Sequence, residues 1–236
     1  RQHIFNYPHE KETGRTSSVT QRSIKVNNKK IIFFDLAGHE KYFRTTLYGI
    51  SSNYPHVMLI MIESNRGVLQ MTKEHIISAI YLRIPIVLVL TKIDIAIPSK
   101  LNQNIRKIKK MMKGAGKHVH EINEENDIKK AVDKLSEISV PLFKISAVKG
   151  NDINPPLYYL TDFLDKLNDI TVTTITTESK EEDFKGETFK AESLFVIDKS
   201  FRTEGYPLIG SGFMRSGKIS VNSSNHEKLF IGPINH

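Results

Sequence analysis

Cysteine is absent from all 236 residues, which excludes disulfides and thiolate-held metals and accords with a reducing compartment; a cytoplasmic location is expected. Long apolar runs are missing as well. The longest, "HVMLIMI" and "IPIVLVL", fall far short of the roughly 20 residues that cross a bilayer, so no membrane partner is expected. No H-E-x-x-H or G-x-S-x-G motif occurs, which removes the usual zinc-protease and serine-hydrolase signatures. Nothing at the start resembles a signal peptide. The chain opens on Arg1, and a trimmed or partly omitted N-terminus is the expectation.

Apolar residues make up 39% and charged residues 25% of the chain, the balance of a globular protein able to bury a core. The length allows one large domain, or an ordinary domain with a small second one. A net charge of +8 favours polyanions such as RNA, ribosomes, acidic membrane surfaces or phosphorylated ligands. The sequence carries no signal for a particular oligomeric state.

Apolar runs at Ile31–Phe34, Val57–Ile62, Ile86–Leu90 and "VPLFKIS" read as strands. Helical spacing recurs in "MTKEHIISAIYLRI", in "PSKLNQNIRKIKKMMKG" with Ser99 as its cap, in Glu124–Glu137 and in Pro156–Leu167. Strands apolar on both faces, alternating with helices, predict an α/β fold with a mostly parallel sheet covered on each side. Residues 1–168 form this domain. Residues 169–190 are Thr-rich and then acidic, the texture of a linker, and 191–236 carry short β-like runs broken by Gly, Pro and Asn, the expected start of a small β-barrel.

In such a sheet, ligands sit beyond the carboxyl ends of the strands, and three motifs occupy those ends: "DLAGH" at Asp35–His39, "TKID" at Thr91–Asp94 and "ISA" at Ile145–Ala147. Singly each is a common strand-end turn. Together and in this order they fit recognition of guanosine triphosphate with magnesium. A strand-end aspartate such as Asp35 suits Mg²⁺, which takes oxygen ligands and keeps much of its water. Gly38 has no Cβ and lets its N–H approach a terminal phosphate oxygen. The Asp94 carboxylate can accept from N1–H and the exocyclic amine of guanine, and charge-assisted bonds are worth about 1.5–3 kcal/mol each. Lys92 would lie along the purine face, and Ser146 and Ala147 would close the pocket with a backbone N–H toward O6.

With "HEKETGRTSSV", "FFDLAGHEKYFRTTLYGI", "GVLQMTKEH", "VLTKIDIA" and "ISAVKGND", the chain resembles the GTPase domain of translational GTPases of the elongation-factor-Tu superfamily, closest to the GTP-binding protein one and two branch. The resemblance implies a P-loop-type GTPase domain followed by a translation-factor β-barrel, GTP hydrolysis as a molecular switch, and a link to the ribosome, tRNA or mRNA. It implies that Thr16 belongs to the first switch, coordinating Mg²⁺ and sensing the γ-phosphate. Asp35 to about Thr46 would be the second switch, with His39 orienting the attacking water. Thr91 stands where most GTPases have Asn, a departure shared by the resembling branch.

A second departure is larger, since no G-x-x-x-x-G-K-[ST] precedes Glu40, where a phosphate loop should come before the switches. "GFMRSGKI", Gly212–Ile219, ends in Ile and reads as a hairpin, and "GAGK", Gly114–Lys117, reads as a turn. The expectation is a strand and phosphate loop upstream of Arg1. The alternative function is a non-hydrolysing RNA- or ribosome-binding module that keeps the fold. "KHVHE" reads as a loop and is disfavoured as a metal site, and the basic helix Lys100–Lys117 is a candidate RNA contact.

Overall fold

The structure is a computed structural model that describes residues 16–26, 29–53, 55–136, 138–167 and 194–216. The chain divides into two compact units, Arg1–Glu178 and Ser179–His236. The expected linker at 169–190 lies outside the described residues.

The first unit opens with an antiparallel hairpin, β1 (Thr20–Val26) and β2 (Lys29–Asp35), in which Thr20 pairs with Asp35. A 3₁₀ turn at Glu40–Tyr42 leads into α1 (Phe43–Asn53). Then come β3 (Met58–Glu63), α2 (Gln70–Tyr81), β4 (Ile86–Thr91), α3 (Pro98–Gly114), β5 (His118–Glu121), α4 (Glu125–Asp133), β6 (Ser139–Lys144) and α5 (Tyr158–Lys166). Strands β3 to β6 form a parallel sheet in the order β3-β4-β6-β5. The α/β architecture agrees with expectation. The strand β1 was not anticipated, because "TQRSIKV" has no run of apolar residues.

Alternation along β4 explains the two-faced core. Ile86, Leu88 and Leu90 point to one face and pack with Ile76 and Ala79 of α2 and Ile105, Ile108 and Met112 of α3. Val87 and Val89 point to the other, against Ile128 and Ala131 of α4 and Leu160 and Phe163 of α5. The predicted apolar stripe of α3 therefore faces the sheet, with Leu101 packed at its margin.

Several local expectations need correction. Ser99 does not cap α3. The helix starts at Pro98, whose fixed φ suits the first helical turn, and Ile97 takes the cap position without a side-chain bond. Helix α4 is shorter than Glu124–Glu137; a reciprocal box between Glu124 and Asp127 starts it, and it ends at Asp133. "KHVHE" is not a loop, because His118–Glu121 pairs in parallel register with Ser139–Leu142 as edge strand β5. "GAGK" is a turn, with Gly116 at φ +72 and the Lys117 N–H donating to the Met112 carbonyl.

In the second unit, β7 (Leu194–Thr203) and β8 (Tyr206–Ser216) form an antiparallel hairpin turned at Glu204 and Gly205. Gly212 to Ser216 of "GFMRSGKI" therefore lie inside a strand, not at the bend, and the rest lies outside the described residues. A Cβ on Gly212 would collide with the Val196 carbonyl oxygen, which is a packing reason for that glycine.

Candidate functional site

Apart from Thr16, which precedes β1, each named residue lies at a carboxyl end of a strand or in the loop that follows. Asp35 is the last residue of β2, and its Oδ2 accepts a 3.1 Å hydrogen bond from the Thr16 hydroxyl. Chain segments 19 residues apart thus bring a hydroxyl and a carboxylate together. Both are hard oxygen donors, the set that suits Mg²⁺, which needs few protein ligands beside water and phosphate oxygens.

Gly38 has open space where a Cβ would stand, with nothing within 4 Å. Its own chain gives no packing reason for a glycine here, so room for an outside group is what the absent side chain leaves. His39 caps the 3₁₀ turn, its Nδ1 accepting from the Lys41 N–H at 3.2 Å. That bond puts the proton of the neutral imidazole on Nε2, leaving an exposed donor. The His39 and Tyr42 rings lie 6.3 Å apart. Buried Thr46 donates its hydroxyl to the Ala37 carbonyl, tying the loop to the first turn of α1.

The base-pocket candidates form a second group. Lys92 adopts left-handed backbone, φ 58 and ψ 39, so β4 turns sharply at its end and Asp94 falls in the first turn of a 3₁₀ helix, Ile93–Ile95. No hydrogen bond or ion pair holds the Asp94 carboxylate among the described residues. Thr91 reaches the Ile62 carbonyl at 3.4 Å. Ser146 is fully buried, its Oγ accepting from the Lys149 N–H at 3.1 Å, whereas Ala147 is exposed. The Ile93 N–H donates to the Ile145 carbonyl at 3.3 Å, and the Ile145 N–H to Leu90 at 2.8 Å. The first bond joins "TKID" to "ISA", and the second ties "ISA" to the strand that leads into "TKID".

Sequence reasoning missed the residues that hold this loop from the neighbouring strand. The Glu63 carboxylate pairs with the Lys92 ammonium at 3.1 Å. Ser64 is fully buried and donates its hydroxyl to the Thr91 carbonyl at 2.6 Å. Asn65 works from both ends of its amide, donating to the Ile95 carbonyl and accepting from the Ile97 N–H, each at 2.9 Å. Asn104 of α3 donates to the Ser64 carbonyl at 2.8 Å. The available signal was a Ser-Asn pair directly after an apolar strand, a position where such residues bond backbone groups.

The groups with shifted pKa values lie outside these two, Glu121 and His75 among them. Glu121 is partly buried, which alone would raise its carboxyl. The hydrogen bonds and positive charges of Lys109 and Lys144 outweigh burial and hold it below its ordinary value. His75 packs its ring against Phe43 with centroids 5.8 Å apart, and burial lowers its pKa.

Helices on both faces of a parallel sheet, with polar loops gathered at the strand ends, define the nucleotide-binding class of α/β fold. The family described as "Elongation factor Tu GTP binding domain" matches residues 1–192, and the chain belongs to it. It is 31% identical over 99% of its length to GTP-binding protein 1 of Xenopus laevis, and 26% identical over 99% to GTP-binding protein 2 of Homo sapiens. It spans only 36% and 40% of those relatives. Among solved structures, a bacterial selenocysteine-specific elongation factor is similar over 90% of this chain and 30% of its own, with a TM-score of 0.58 at 19% identity. The elongation factor SelB of Methanococcus maripaludis, solved with the GTP analogue GPPNHP, covers 91% of this chain and 40% of its own at a TM-score of 0.54 and 16% identity. These two likenesses carry the fold.

Proposed function

We propose that the chain is the switch and base-recognition part of a cytoplasmic GTPase that binds GTP and GDP with Mg²⁺, hydrolyses GTP, and serves translation or another RNA process. The observation that carries this reading is the 3.1 Å hydrogen bond between Thr16 and Asp35. It unites the proposed first and second switches at the two oxygen donors a phosphate-bound magnesium ion would use. Thr16 and Asp35 would hold the ion, and bound there it would neutralise charge on the phosphate oxygens.

The chain's own residues do the rest by positioning. Gly38 lends its N–H to the terminal phosphate. With Nδ1 engaged by the Lys41 N–H, His39 offers Nε2–H and orients the attacking water as a donor. The free Asp94 carboxylate accepts from the guanine edge, the Lys92 stem flanks the ring, Thr91 braces the strand end, and Ser146 and Ala147 close the pocket. In the GTP state the segments around Thr16 and Asp35–Thr46 are ordered, and hydrolysis releases them.

The reading includes a strand and phosphate loop from preceding sequence. In keeping with it, the hairpin and the four-stranded sheet share no paired strands among the described residues. It also takes residues 1–168 as the GTPase domain, 169–190 as a linker and 191–236 as the start of a β-barrel, in keeping with the β7–β8 hairpin.

Isothermal titration of the full-length protein with GTP, GDP and ATP tests the proposal. Binding of both guanine nucleotides and not ATP is expected, with Asp94→Asn shifting preference toward xanthine nucleotides. No binding of any nucleotide would leave the non-hydrolysing RNA- or ribosome-binding module standing in its place.

A further inference from the structure

The sequence of α3, "PSKLNQNIRKIKKMMKG", holds six cations and no carboxylate. Its buried residues, Asn104, Ile105, Ile108 and Met112, all face the sheet. At 100° per residue the direction opposite to them is taken by Ser99, Gln103, Arg106, Lys110 and Lys113, every one exposed. These residues recur at i, i+4, i+7 spacing and make a straight ridge of donors about 20 Å long at 1.5 Å rise per residue.

Along this ridge the cations stand together without counter-charges among the described residues. Lys109, on its flank, is paired with Glu121 at 2.7 Å. Arg106, Lys107, Lys110 and Lys113 have no ion pair among the described residues. Side-by-side cations without counter-charges repel one another by a few tenths of a kcal/mol per pair, so the arrangement lowers helix stability unless a polyanion meets it.

We infer that the outer ridge of α3 is a docking surface for the phosphodiester backbone of duplex RNA, separate from the nucleotide site and independent of it. The chemistry of the ridge selects among polyanions. It presents no aromatic or aliphatic anchor, whereas the core of a protein interface is enriched in aromatics and Met and depleted in Lys. With no aromatic ring it has no platform for stacking unpaired bases, the main contact to single strands. A row of Lys, Arg, Ser and Gln donors is what phosphate oxygens require, and it reads the backbone without reading sequence.

The test is fluorescence anisotropy of a labelled RNA duplex of roughly 20 base pairs with the full-length protein, free of nucleotide, across about 50–200 mM salt. The triple variant Arg106→Ala, Lys110→Ala, Lys113→Ala should reduce the slope of log affinity against log salt by about 2–3. A control triple removing equal charge from exposed Lys73, Lys129 and Lys134 should leave the slope near that of the unaltered protein. Matching circular dichroism melts of the two triples establish that folding is intact, and Lys110→Glu alone should also weaken binding. An unchanged slope in the α3 triple, an equal fall in the control, tighter binding of poly(U) than of duplex, or equal competition by polyglutamate would each overturn the assignment. Because no GTP is present, failure here is distinct from failure of the proposed GTPase activity.

Discussion

His39 has two uses for one ring. Nδ1 accepts from the Lys41 N–H and shapes the 3₁₀ turn, and that same bond leaves Nε2 outward as a donor. The ring is therefore suited to orienting water more than to removing its proton. His39→Ala should leave GTP and GDP affinity close to unchanged and slow single-turnover hydrolysis by about 10²–10⁴. Because the turn also loses its cap, a companion His39→Asn variant separates the duties: Asn restores capping, and turnover should stay slow. Recovery of turnover in the Asn variant would assign His39 to the cap alone. Asp35, Gly38, His39 and Asp94 could all be named from sequence because each sits where an apolar run ends. Glu63, Ser64, Asn65 and Asn104 could not, because their partners are backbone groups 27 to 40 residues away or, for Glu63, a lysine 29 residues on.

Among the elements, α1 depends on a glycine inside a helix. A Cβ on Gly49 would stand 2.7 Å from Leu36 Cδ2 and 2.7 Å from Val19 Cγ2, so the missing side chain lets α1 settle onto the segments beside Thr16 and Asp35. Gly49→Val should cost about 1–3 kcal/mol through overpacking, read as a lower denaturation midpoint at unchanged m-value. The edge strand β5 is held differently, by Glu121 between Lys109 of α3 and Lys144 of β6. Its folded pKa lies below the unfolded one, so the stabilisation is present above the unfolded value and disappears as pH falls through the folded value. Thermal melts of Glu121→Gln should accordingly show a lower Tm than the unaltered protein near pH 7. The gap should close as pH falls through and below the ordinary glutamate range, near about 4.3. A gap constant with pH would mean that Glu121 acts by packing and not by charge. The strand itself escaped sequence reading because "HVHE" has too few apolar residues to announce one.

On the scale of the whole first unit, the sheet is wrapped by two apolar clusters of different make-up, aliphatic against α2 and α3 and partly aromatic against α4 and α5. Phe143 and Phe163 meet in the second with ring centroids 5.1 Å apart, and both are buried. Phe143→Ala should therefore cost about 3–5 kcal/mol in chemical denaturation. A loss below 1 kcal/mol would show that the cluster collapses around the gap.

Periodicity alone determined the α/β class, the alternation of the central strands β3, β4 and β6 with helices, and the strand ends at which the chemistry would gather. The hydrophobic effect is local in sequence in this sense: which side chains must leave water is written in their spacing. Long-range geometry decided the rest. Only the folded chain sets the Thr16 hydroxyl on Asp35, turns Lys92 left-handed two residues before Asp94, pins that loop with Asn65, and leaves the cations of the α3 ridge without ion pairs among the described residues. Hydrogen bonds and ion pairs act over a few ångströms between residues distant in the chain, so their existence depends on packing that no local pattern encodes.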